Sequence, residues 1–302
     1  MKVIIFDVGD AACSLVVSPE PRYYGMMIDC GCAAQDSDKK NPIDVIDRCK
    51  KWLSMSEYKK GYPLTLLHIT HPDDDHVRNA GRISKELPPY LLRHTYTEEF
   101  PDSAEINGDY KESLDRKYRT PNTESIDWGL SIDKTFSIPI DKVKNDSNLN
   151  TKIRNNSSIL RFLKYNNTSI LFAGDLERPA WEWLKNNDSD FCSTIKSGVN
   201  ILIAPHHGHK SGFPNALFEL CNKVDVVIHS KDSEAEKTGP SDVASQYTQY
   251  AKGIKYKSLS DEKEYYGKVL TTRSNGCVYI DISSTYGVSY YTDKASPNHI
   301  QR

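Results

Sequence analysis

Two imidazoles and three carboxylates lie within six residues, 71–76, directly after an apolar run of strand-forming residues at 64–69. Carboxylates this close repel one another unless a cation neutralises them, and imidazole with carboxylate is a ligand set that suits divalent metals. The alternative is an Asp-rich helix N-terminus, where carboxylates accept hydrogen bonds from free N–H groups. Capping explains one or two of the Asp residues, but neither the two His residues nor the apolar strand before them. The stretch therefore predicts a metal site.

Two further apolar runs end in side chains of the same kind. The run at 169–173 is followed by Gly174 and Asp175, and the run at 199–204 by His206 and His207. Each pattern alone is equally typical of an ordinary turn. Together with 71–76 they supply enough ligands for two divalent cations, with zinc, manganese or iron compatible and the carboxylate share favouring the harder metals. Two ions about 3.5–4 Å apart can activate a water and brace the leaving oxygen of an ester.

The elements that must position these groups alternate between β and α patterns. Strands are predicted at 2–8, 13–18, 24–29, 64–70, 158–165, 169–173, 199–204, 224–229, 269–272 and 277–280, the last two as a hairpin. Helices are predicted at 42–55, 77–87, from 179, at 214–221 and at 241–252. Since α/β proteins gather their sites at strand ends, five ends are expected to converge: Asp29, 71–76, Asp175, His206 with His207, and Ser230.

The composition is that of one globular domain over 1–302, with a polar insertion at about 95–150 and a frayed tail from about 292. Lys and Arg number 39 against 41 Asp and Glu, which argues against a broad non-specific nucleic-acid surface. The insertion nevertheless interleaves basic and aromatic side chains, as a strand-gripping surface or a solvated loop. These are Tyr110, Lys111, Arg116, Lys117, Tyr118 and Arg119.

The sequence favours a soluble, cytoplasmic protein without a membrane partner. It enters a strand at once, without a secretion signal, and no apolar run approaches the roughly 20 residues of a membrane span. Seven scattered Cys residues, in a chain of this kind, are expected to be reduced and mostly buried.

The combined motifs resemble the metallo-β-lactamase superfamily, and within it the metallo-hydrolase domain attached to ComEC, the bacterial DNA-uptake channel. The matching stretches are FDVGD at 6–10, MIDCG at 27–31, THPDDDH at 70–76, NNSSI at 155–159, FAGDLE at 172–177, APHHGHKS at 204–211 and TTRSNG at 271–276. They span roughly 1–281 except for the insertion. The resemblance implies an α/β fold of four layers, the αββα metallo-β-lactamase sandwich.

The resemblance also implies a role for each matching residue. The expected metal ligands are His71, Asp73, Asp75, His76, Asp175 and one of His206 and His207. Asp175 is expected to bridge two divalent ions, zinc or manganese, with His71 and Asp73 on one of them and Asp75 and His76 on the other. The expected supporting residues behind the ligands are Asp29 and Asp7. The expected catalytic residues are Asp75, Lys210 and Asn156, and the expected substrate-binding residues are Arg78, Asn155, Ser211 and His209. Arg78 and Lys210 either contact a phosphate or face solvent.

The implied function is a metal-dependent phosphodiesterase or nuclease that acts on DNA through a hydroxide activated by two metals. Three departures from the family pattern bear on the substrate: Arg78 follows the metal motif, His209 stands where the family has Ser, and a further family His is absent. Hydrolysis of a small ester, lactone or nucleotide is the first alternative, and a degenerate fold serving as a binding or regulatory subunit is the second. Besides nucleic acid, a partner protein in a multi-component system is a further candidate partner.

Overall fold

The computed structural model describes residues 1–32, 45–53, 58–95, 100, 106–118, 124–231 and 244–295. The strands in these ranges are β1 Lys2–Ile5, β2 Cys13–Val17, β3 Gly25–Cys30, β4 Leu64–His68, β5 Pro89–Arg93, β6 Ile132–Phe136, β7 Leu160–Tyr165, β8 Thr168–Phe172, β9 Ile201–Ile203, β10 Val226–His229, β11 Ile254–Ser258, β12 Glu264–Gly267, β13 Val269–Thr271, β14 Val278–Ser283 and β15 Gly287–Thr292.

Short helices connect many of these strands. They are α1 Val45–Trp52, α2 Asp74–Val77, α3 Ala80–Glu86, α4 Gly108–Tyr110, α5 Ile140–Asn145, α6 Ile153–Asn156, α7 Arg178–Asn187, α8 Ser189–Lys196, α9 Asn215–Cys221, α10 Ala244–Tyr247 and α11 Thr272–Asn275. A π-helical turn, Lys111–Asp115, continues α4, and 3-10 turns occur at Asn150–Lys152, Pro205–Gly208 and Lys210–Gly212. None of the helices in the described ranges has the length and hydropathy that crossing a membrane requires.

The strands form two sheets. One has nine strands in the order β12-β11-β15-β14-β1-β2-β3-β4-β5, and the other has six in the order β13-β10-β9-β8-β7-β6. In the first sheet β3 and β4 are parallel, and in the second β8, β9 and β10 are parallel. Parallel neighbours end at the same edge of a sheet, so the polar residues that follow these strands are carried to common edges.

Alternation of side chains along the strands separates the layers. On β1, Val3 and Ile5 join a core shared with Leu163 and Ile170 of the second sheet, so this core lies between the sheets. Ile4 instead packs into a second core on the helix side of the nine-stranded sheet. A third core joins the other face of the six-stranded sheet to its helices, among them α7, α8 and α9. The fold is therefore the expected αββα sandwich.

Three of the predicted elements differ from the observed ones. The segment predicted as a polar insertion, for which no strand was expected, contains β6, which pairs antiparallel with β7 at the edge of the second sheet. The predicted hairpin at 269–280 is wrong, because β13 pairs with β10 in one sheet and β14 pairs with β1 in the other. The predicted helix at 77–87 is shorter than expected: α3 covers Ala80–Glu86, and residue 77 is the last residue of a separate helix, α2. The predicted ends at 42–44 and 241–243, Arg119 and the tail after 295 lie outside the described residues.

The cysteines agree with the expectation of reduced thiols. All seven are present as thiols rather than disulfides, and four are buried: Cys13, Cys30, Cys49 and Cys277. Burial raises the pKa of the Cys13 and Cys30 thiols well above the ordinary value, so both stay protonated and unreactive.

Candidate metal centre

The predicted strand ends converge on the carboxylate of Asp175, which follows β8. The Nε2 atoms of His76 and His207 lie 3.1 Å and 3.8 Å from Asp175 Oδ1. Asp75 Oδ2 is 3.1 Å from His207 Nε2 and 3.9 Å from His76 Nε2. One ligand atom from each of these four residues lies within 4.8 Å of all the others. Asp75, His76, Asp175 and His207 are called the first cluster below.

The second oxygen of Asp175 faces a different set of side chains. His206 Nε2 lies 3.6 Å from Asp175 Oδ2, and His71 Nε2 lies 3.9 Å from the same oxygen. Asp73 Oδ2 is 3.6 Å from His71 Nε2. His71, Asp73 and His206, with the shared Asp175, are called the second cluster below. Both members of the His pair therefore reach Asp175, one at each oxygen, whereas the sequence led us to expect one of them as a ligand.

Each of the four imidazoles uses its Nδ1 atom for support and turns Nε2 toward Asp175. His76 Nδ1 is 2.8 Å from Asp29 Oδ2, and His207 Nδ1 is 3.0 Å from the Ser230 carbonyl. His206 Nδ1 is 3.1 Å from Ser211 Oγ. The fourth contact joins His71 Nδ1 to Thr70 Oγ1 at 3.3 Å. Contacts of this kind fix the orientation of metal-binding imidazoles, so the arrangement suits Nε2 coordination.

Asp29 ties the two parallel strand ends of the first sheet together. Its Oδ1 accepts a hydrogen bond from the Thr70 N–H at 2.8 Å, and its Oδ2 accepts one from Thr70 Oγ1, also at 2.8 Å. The carboxylate that orients His76 is thus itself held by the residue before His71. Asp29 has a φ of 56°, a left-handed conformation that Asp and Asn tolerate better than most residues.

Unusual backbone conformations and close approaches place several of the ligands. His206 and His207 both have a positive φ, 49° and 51°, and this sharp turn aims two consecutive side chains at the same carboxylate. A Cβ on Gly31 would lie 1.6 Å from the Asp75 carbonyl oxygen, so the backbone can approach there only at glycine. The two left-handed residues and the close approach at Gly31 thus help to place the ligands.

The pKa shifts in the first cluster show that its carboxylates favour positive charge beside them. Burial alone would raise the pKa of Asp175, but the His76, His207 and His71 imidazoles outweigh burial and hold it well below the ordinary value. In the same way, burial would lower the pKa of His207, but the Asp175 and Asp75 carboxylates raise it to about 9. They and Asp29 raise the pKa of His76 well above its ordinary value, again against burial. Without a metal the clustered carboxylates therefore hold protons on two imidazoles in place of a cation.

The donor set and its spacing fit a divalent metal. The Nε2 atoms of His71 and His76 are buried and make no well-formed hydrogen bond in the described structure, which is costly unless a ligand satisfies them. Tetrahedral ligands at zinc–ligand distances of about 2.0–2.2 Å lie about 3.3–3.6 Å apart. The separations between neighbouring donors of the first cluster, 3.1–3.9 Å, bracket that range. Asp73 Oδ2 and Asp175 Oδ2 lie at similar separations from the Nε2 atoms of the second cluster.

The capping alternative for 71–76 is not what the structure shows. Asp73 is the residue before α2, but its side chain makes no capping hydrogen bond. Asp74 accepts from Arg78 on one oxygen and from Asn107 Nδ2 on the other, at 2.6 Å for Asn107. Asp74 therefore joins α2 to the chain beyond residue 106, and the remaining carboxylates of the stretch face the imidazoles.

Three further predicted residues make contacts within the protein. Asn156 is fully buried and donates to the Leu149 carbonyl at 2.8 Å, so its amide supports the local fold instead of offering a donor to a substrate. Asp7 donates its backbone N–H to Cys277 Sγ at 3.4 Å. Arg78 donates to the Asp74 carboxylate and to the Cys32 carbonyl, at 2.7 Å for Cys32.

The other predicted substrate residues lie beside the second cluster, where Glu177 connects them. Glu177 Oε1 accepts from Ser211 Oγ at 3.2 Å and from Asn155 Nδ2 at 3.5 Å, and it lies 3.6 Å from His206 Nδ1. His209 packs its ring 4.9 Å from the His206 ring. Sequence reasoning gave Glu177 no role, although it stands in the quoted FAGDLE stretch, two residues after Asp175.

One charged neighbour had no signal in the sequence. Arg154 Nη1 lies 2.9 Å from Asp73 Oδ1, in a contact between α6 and the metal stretch. Lys210, by contrast, was expected and is exposed on the turn that follows His209. Access to the clusters is from the side of Asp75 and His206, whose side chains are 33% and 26% exposed, while His71 and His76 are buried.

Substituting Asp29 by Asn is expected to weaken metal binding by about 10–100-fold, the usual effect of losing a supporting hydrogen bond to a ligand. The amide oxygen can still accept from Thr70, but the amide nitrogen cannot accept the Nδ1 proton of His76, so this ring loses its orientation. Competition with a chromophoric chelator measures the affinity. The matched control is Asp225→Asn, since Asp225 accepts from Asn200 at 2.7 Å outside both clusters. Equal affinities of the two variants would show that Asp29 does not position His76.

Comparison with known proteins gives the family. A family model of the metallo-beta-lactamase superfamily matches residues 7–198. No curated protein matches the chain. Solved structures to which the chain is similar include the following three. The metallo-beta-lactamase fold protein YhfI from Bacillus subtilis is 9% identical over 92% of this chain and 99% of that chain, with a TM-score of 0.43. Isothiocyanate hydrolase from Delia radicum gut bacteria is 12% identical over 77% and 85%, with a TM-score of 0.44.

The third is the Zn²⁺-bound PqqB from Methylobacterium extorquens, 13% identical over 67% of this chain and 72% of that chain, with a TM-score of 0.39. At 9–13% identity, these similarities do not indicate the activity of this chain. The family model is different, because it matches more than half of the chain and covers the strand ends that carry 71–76 and Asp175. The chain belongs to the metallo-beta-lactamase superfamily.

Proposed function

We propose that this protein is a metal-dependent hydrolase that cleaves phosphodiester bonds in nucleic acid, with DNA as the expected substrate. The observation that carries the proposal is the convergence of four imidazole Nε2 atoms and the Asp73 and Asp75 carboxylates on the two oxygens of Asp175. The ions, zinc or manganese, would be held by the first cluster and by the second, with Asp175 between them. When bound, such a pair of ions activates a water and stabilises charge on the leaving oxygen.

Charge at the opening supports an anionic substrate over a neutral ester. Lys210 is exposed three residues after His207. Because it is a cation close in the chain to two of the proposed ligands, Lys210 is the residue we expect to meet a phosphate oxygen or the charge that develops on a leaving oxygen. Asp75 is the most exposed carboxylate of the first cluster, and its pKa lies below the ordinary value because neighbouring imidazoles outweigh burial. It stays ionised at neutral pH and can orient the attacking water through a hydrogen bond.

The surface proposed to grip a nucleic-acid strand is smaller than the sequence suggested. Tyr110 is fully buried, with its hydroxyl 2.8 Å from His94 Nδ1, so it cannot stack on a base. Arg116 is paired with Glu112 at 2.6 Å. Substrate contacts are therefore expected near Lys210 and the cluster opening rather than along 110–118.

A substrate panel tests the proposal. Metal-loaded protein is incubated with single-stranded DNA, duplex DNA, RNA, a nucleotide, a lactone and a small carboxylic ester, each with and without chelator. We expect chelator-sensitive cleavage of DNA. Lys210→Ala should lower kcat/KM for DNA about 10-fold or more, as for the loss of a hydrogen bond to a charged group worth about 1.5–3 kcal/mol. The substitution should also reduce the slope of log binding affinity against log salt concentration by about one, the contribution of one phosphate contact.

The control variant is Lys255→Ala, because Lys255 is also exposed but lies on β11. Its activity and salt dependence should match those of the unmodified protein. Cleavage of the small ester or the lactone alone, unaffected by Lys210→Ala, would contradict the phosphodiesterase proposal and favour the first alternative. No hydrolysis of any member by fully metal-loaded protein would favour a binding or regulatory role.

A further inference from the structure

Arg154 holds the one carboxylate of the second cluster that the metal stretch itself supplies. Its Nη1 lies 2.9 Å from Asp73 Oδ1, while the other oxygen, Oδ2, lies 3.6 Å from His71 Nε2. The two side chains are 32% and 21% exposed, so the ion pair is partly shielded from water and stronger than one on the open surface. The contact therefore leaves Asp73 one oxygen bound to the guanidinium and one directed toward the cluster.

The segment that carries Arg154 is itself fixed to both strand ends of the site. The Ile159 N–H donates to the Thr70 carbonyl at 2.8 Å, next to His71. Ser158 Oγ accepts from the Asp175 N–H at 3.1 Å. Ser157 Oγ donates to the Arg154 carbonyl at 2.9 Å. The guanidinium therefore reaches Asp73 from a short helix, α6, whose position is tied to the ligands and not from a loose surface loop.

The ion pair between Arg154 and Asp73 contributes to the balance of charge in the proposed two-ion site. The site contains the carboxylates of Asp73, Asp75 and Asp175, with Asp29 and Glu177 directly behind the imidazoles. Two divalent cations supply four positive charges to these five negative charges. One guanidinium at Asp73 supplies the remaining charge.

We propose that Arg154 is a positioning residue that fixes Asp73 as a ligand of the second cluster, so that this cluster binds its divalent ion tightly only when Arg154 is present. The inference rests on the proposed two-ion site, but not on the hydrolysis of any substrate. Arg154 neither binds the ion nor contacts the reacting atoms. It selects which oxygen of Asp73 is available and balances the charge of the other.

Metal binding to the purified full chain tests the proposal without any substrate. Zinc and manganese are titrated by calorimetry into the unmodified protein and into Arg154→Gln and Arg154→Lys, and the bound metal is counted by elemental analysis after dialysis. We expect two ions per unmodified chain. In Arg154→Gln the affinity for one ion should fall about 10–100-fold while the other is unchanged. Arg154→Lys should recover part of the loss, because it keeps the charge without the planar fork.

A double-mutant cycle separates positioning from a general effect on folding. In the Asp73→Asn background, Arg154→Gln should cause no further loss of metal affinity, because its target is already gone. The control is Arg116→Gln, which removes an exposed arginine paired with Glu112 and should leave both affinities unchanged. Thermal unfolding of the metal-free variants checks that each one folds.

Four outcomes would overturn the proposal. Three concern binding: two tightly bound ions in Arg154→Gln, a further loss in the Asp73→Asn background equal to that in the unmodified protein, or a single ion per unmodified chain. The fourth is a raised KM with unchanged metal affinity, which would make Arg154 a substrate contact. Hydrolysis plays no part in the binding result. Normal binding behaviour with no turnover of the substrate panel would therefore refute the proposed function while leaving the role of Arg154 supported.

Discussion

Asp175→Asn is expected to abolish tight metal binding at both clusters and to lower kcat/KM by about 10²–10³-fold or more, at least the loss seen when one preorganised electrostatic group is removed. Asp175 is buried, and each of its oxygens faces two imidazoles, with Oδ1 3.1 Å from His76 Nε2 and Oδ2 3.6 Å from His206 Nε2. Asn keeps the size of the side chain but replaces one acceptor oxygen by an NH₂ group. One cluster therefore meets a donor where it needs a ligand, and both lose the negative charge.

The backbone contact of residue 175 does not depend on the substitution, since the N–H that donates to Ser158 Oγ is retained. Loss of metal can thus be separated from loss of fold by comparing thermal unfolding of the metal-free proteins. Asp190→Asn is the matched control, because Asp190 is 60% exposed and pairs with Lys134. Elemental analysis and steady-state kinetics are the measurements. Less than one ion per unmodified chain, together with full function of Asp175→Asn, would instead indicate a degenerate fold that acts by binding.

The parts of the site that could be predicted from sequence are those that follow a local pattern, an apolar run with polar residues directly after it. Apolar runs identify buried strands, and the polar residues after parallel neighbours must meet at a sheet edge, as Asp29 and His71 do in the nine-stranded sheet. Asp175 follows a strand of the other sheet, and its contact with His71 joins the two sheets. The same reasoning found both His206 and His207, but not that both rings reach Asp175. The approach of both rings to Asp175 depends on two consecutive left-handed backbone conformations, which the pattern of residue types does not predict.

Contacts between distant segments carried no such signal. Arg154 follows no periodic pattern, and its meeting with Asp73 depends on where α6 lies relative to the metal stretch. The error over β13 and β14 has a related cause. Two short apolar runs around Asn275 and Gly276 look like a hairpin, but α11 fills the connection and sends the strands to different sheets. A short apolar run in the sequence predicts a strand, but it does not predict which other strand it pairs with.

Binding of an ion to the first cluster is expected to release about two protons at pH 7. Its carboxylates raise the pKa of His207 to about 9 and that of His76 well above 6.5, so both rings are protonated at pH 7 in the metal-free protein. A metal takes the Nε2 position of each ring, which must give up that proton. His76 keeps its Nδ1 proton, which it donates to Asp29 at 2.8 Å. Metal affinity should therefore rise with pH until His207 titrates near pH 9.

The same shifts fix the sign of the pH dependence of the metal-free fold. The folded-state pKa of His207 lies above its ordinary value of 6.5, so its contribution to stability is complete below pH 6.5 and is lost as the pH rises through about 9. The stabilisation gained on adding metal should consequently grow between pH 6.5 and 9. Calorimetric titrations in buffers of different ionisation enthalpy count the released protons, and thermal unfolding with and without metal follows the stability. His207→Gln should release about one proton fewer than the unmodified protein. Equal proton release by the two proteins would mean that His207 is neutral before metal binds, and the charge balance inferred for the first cluster would then be wrong.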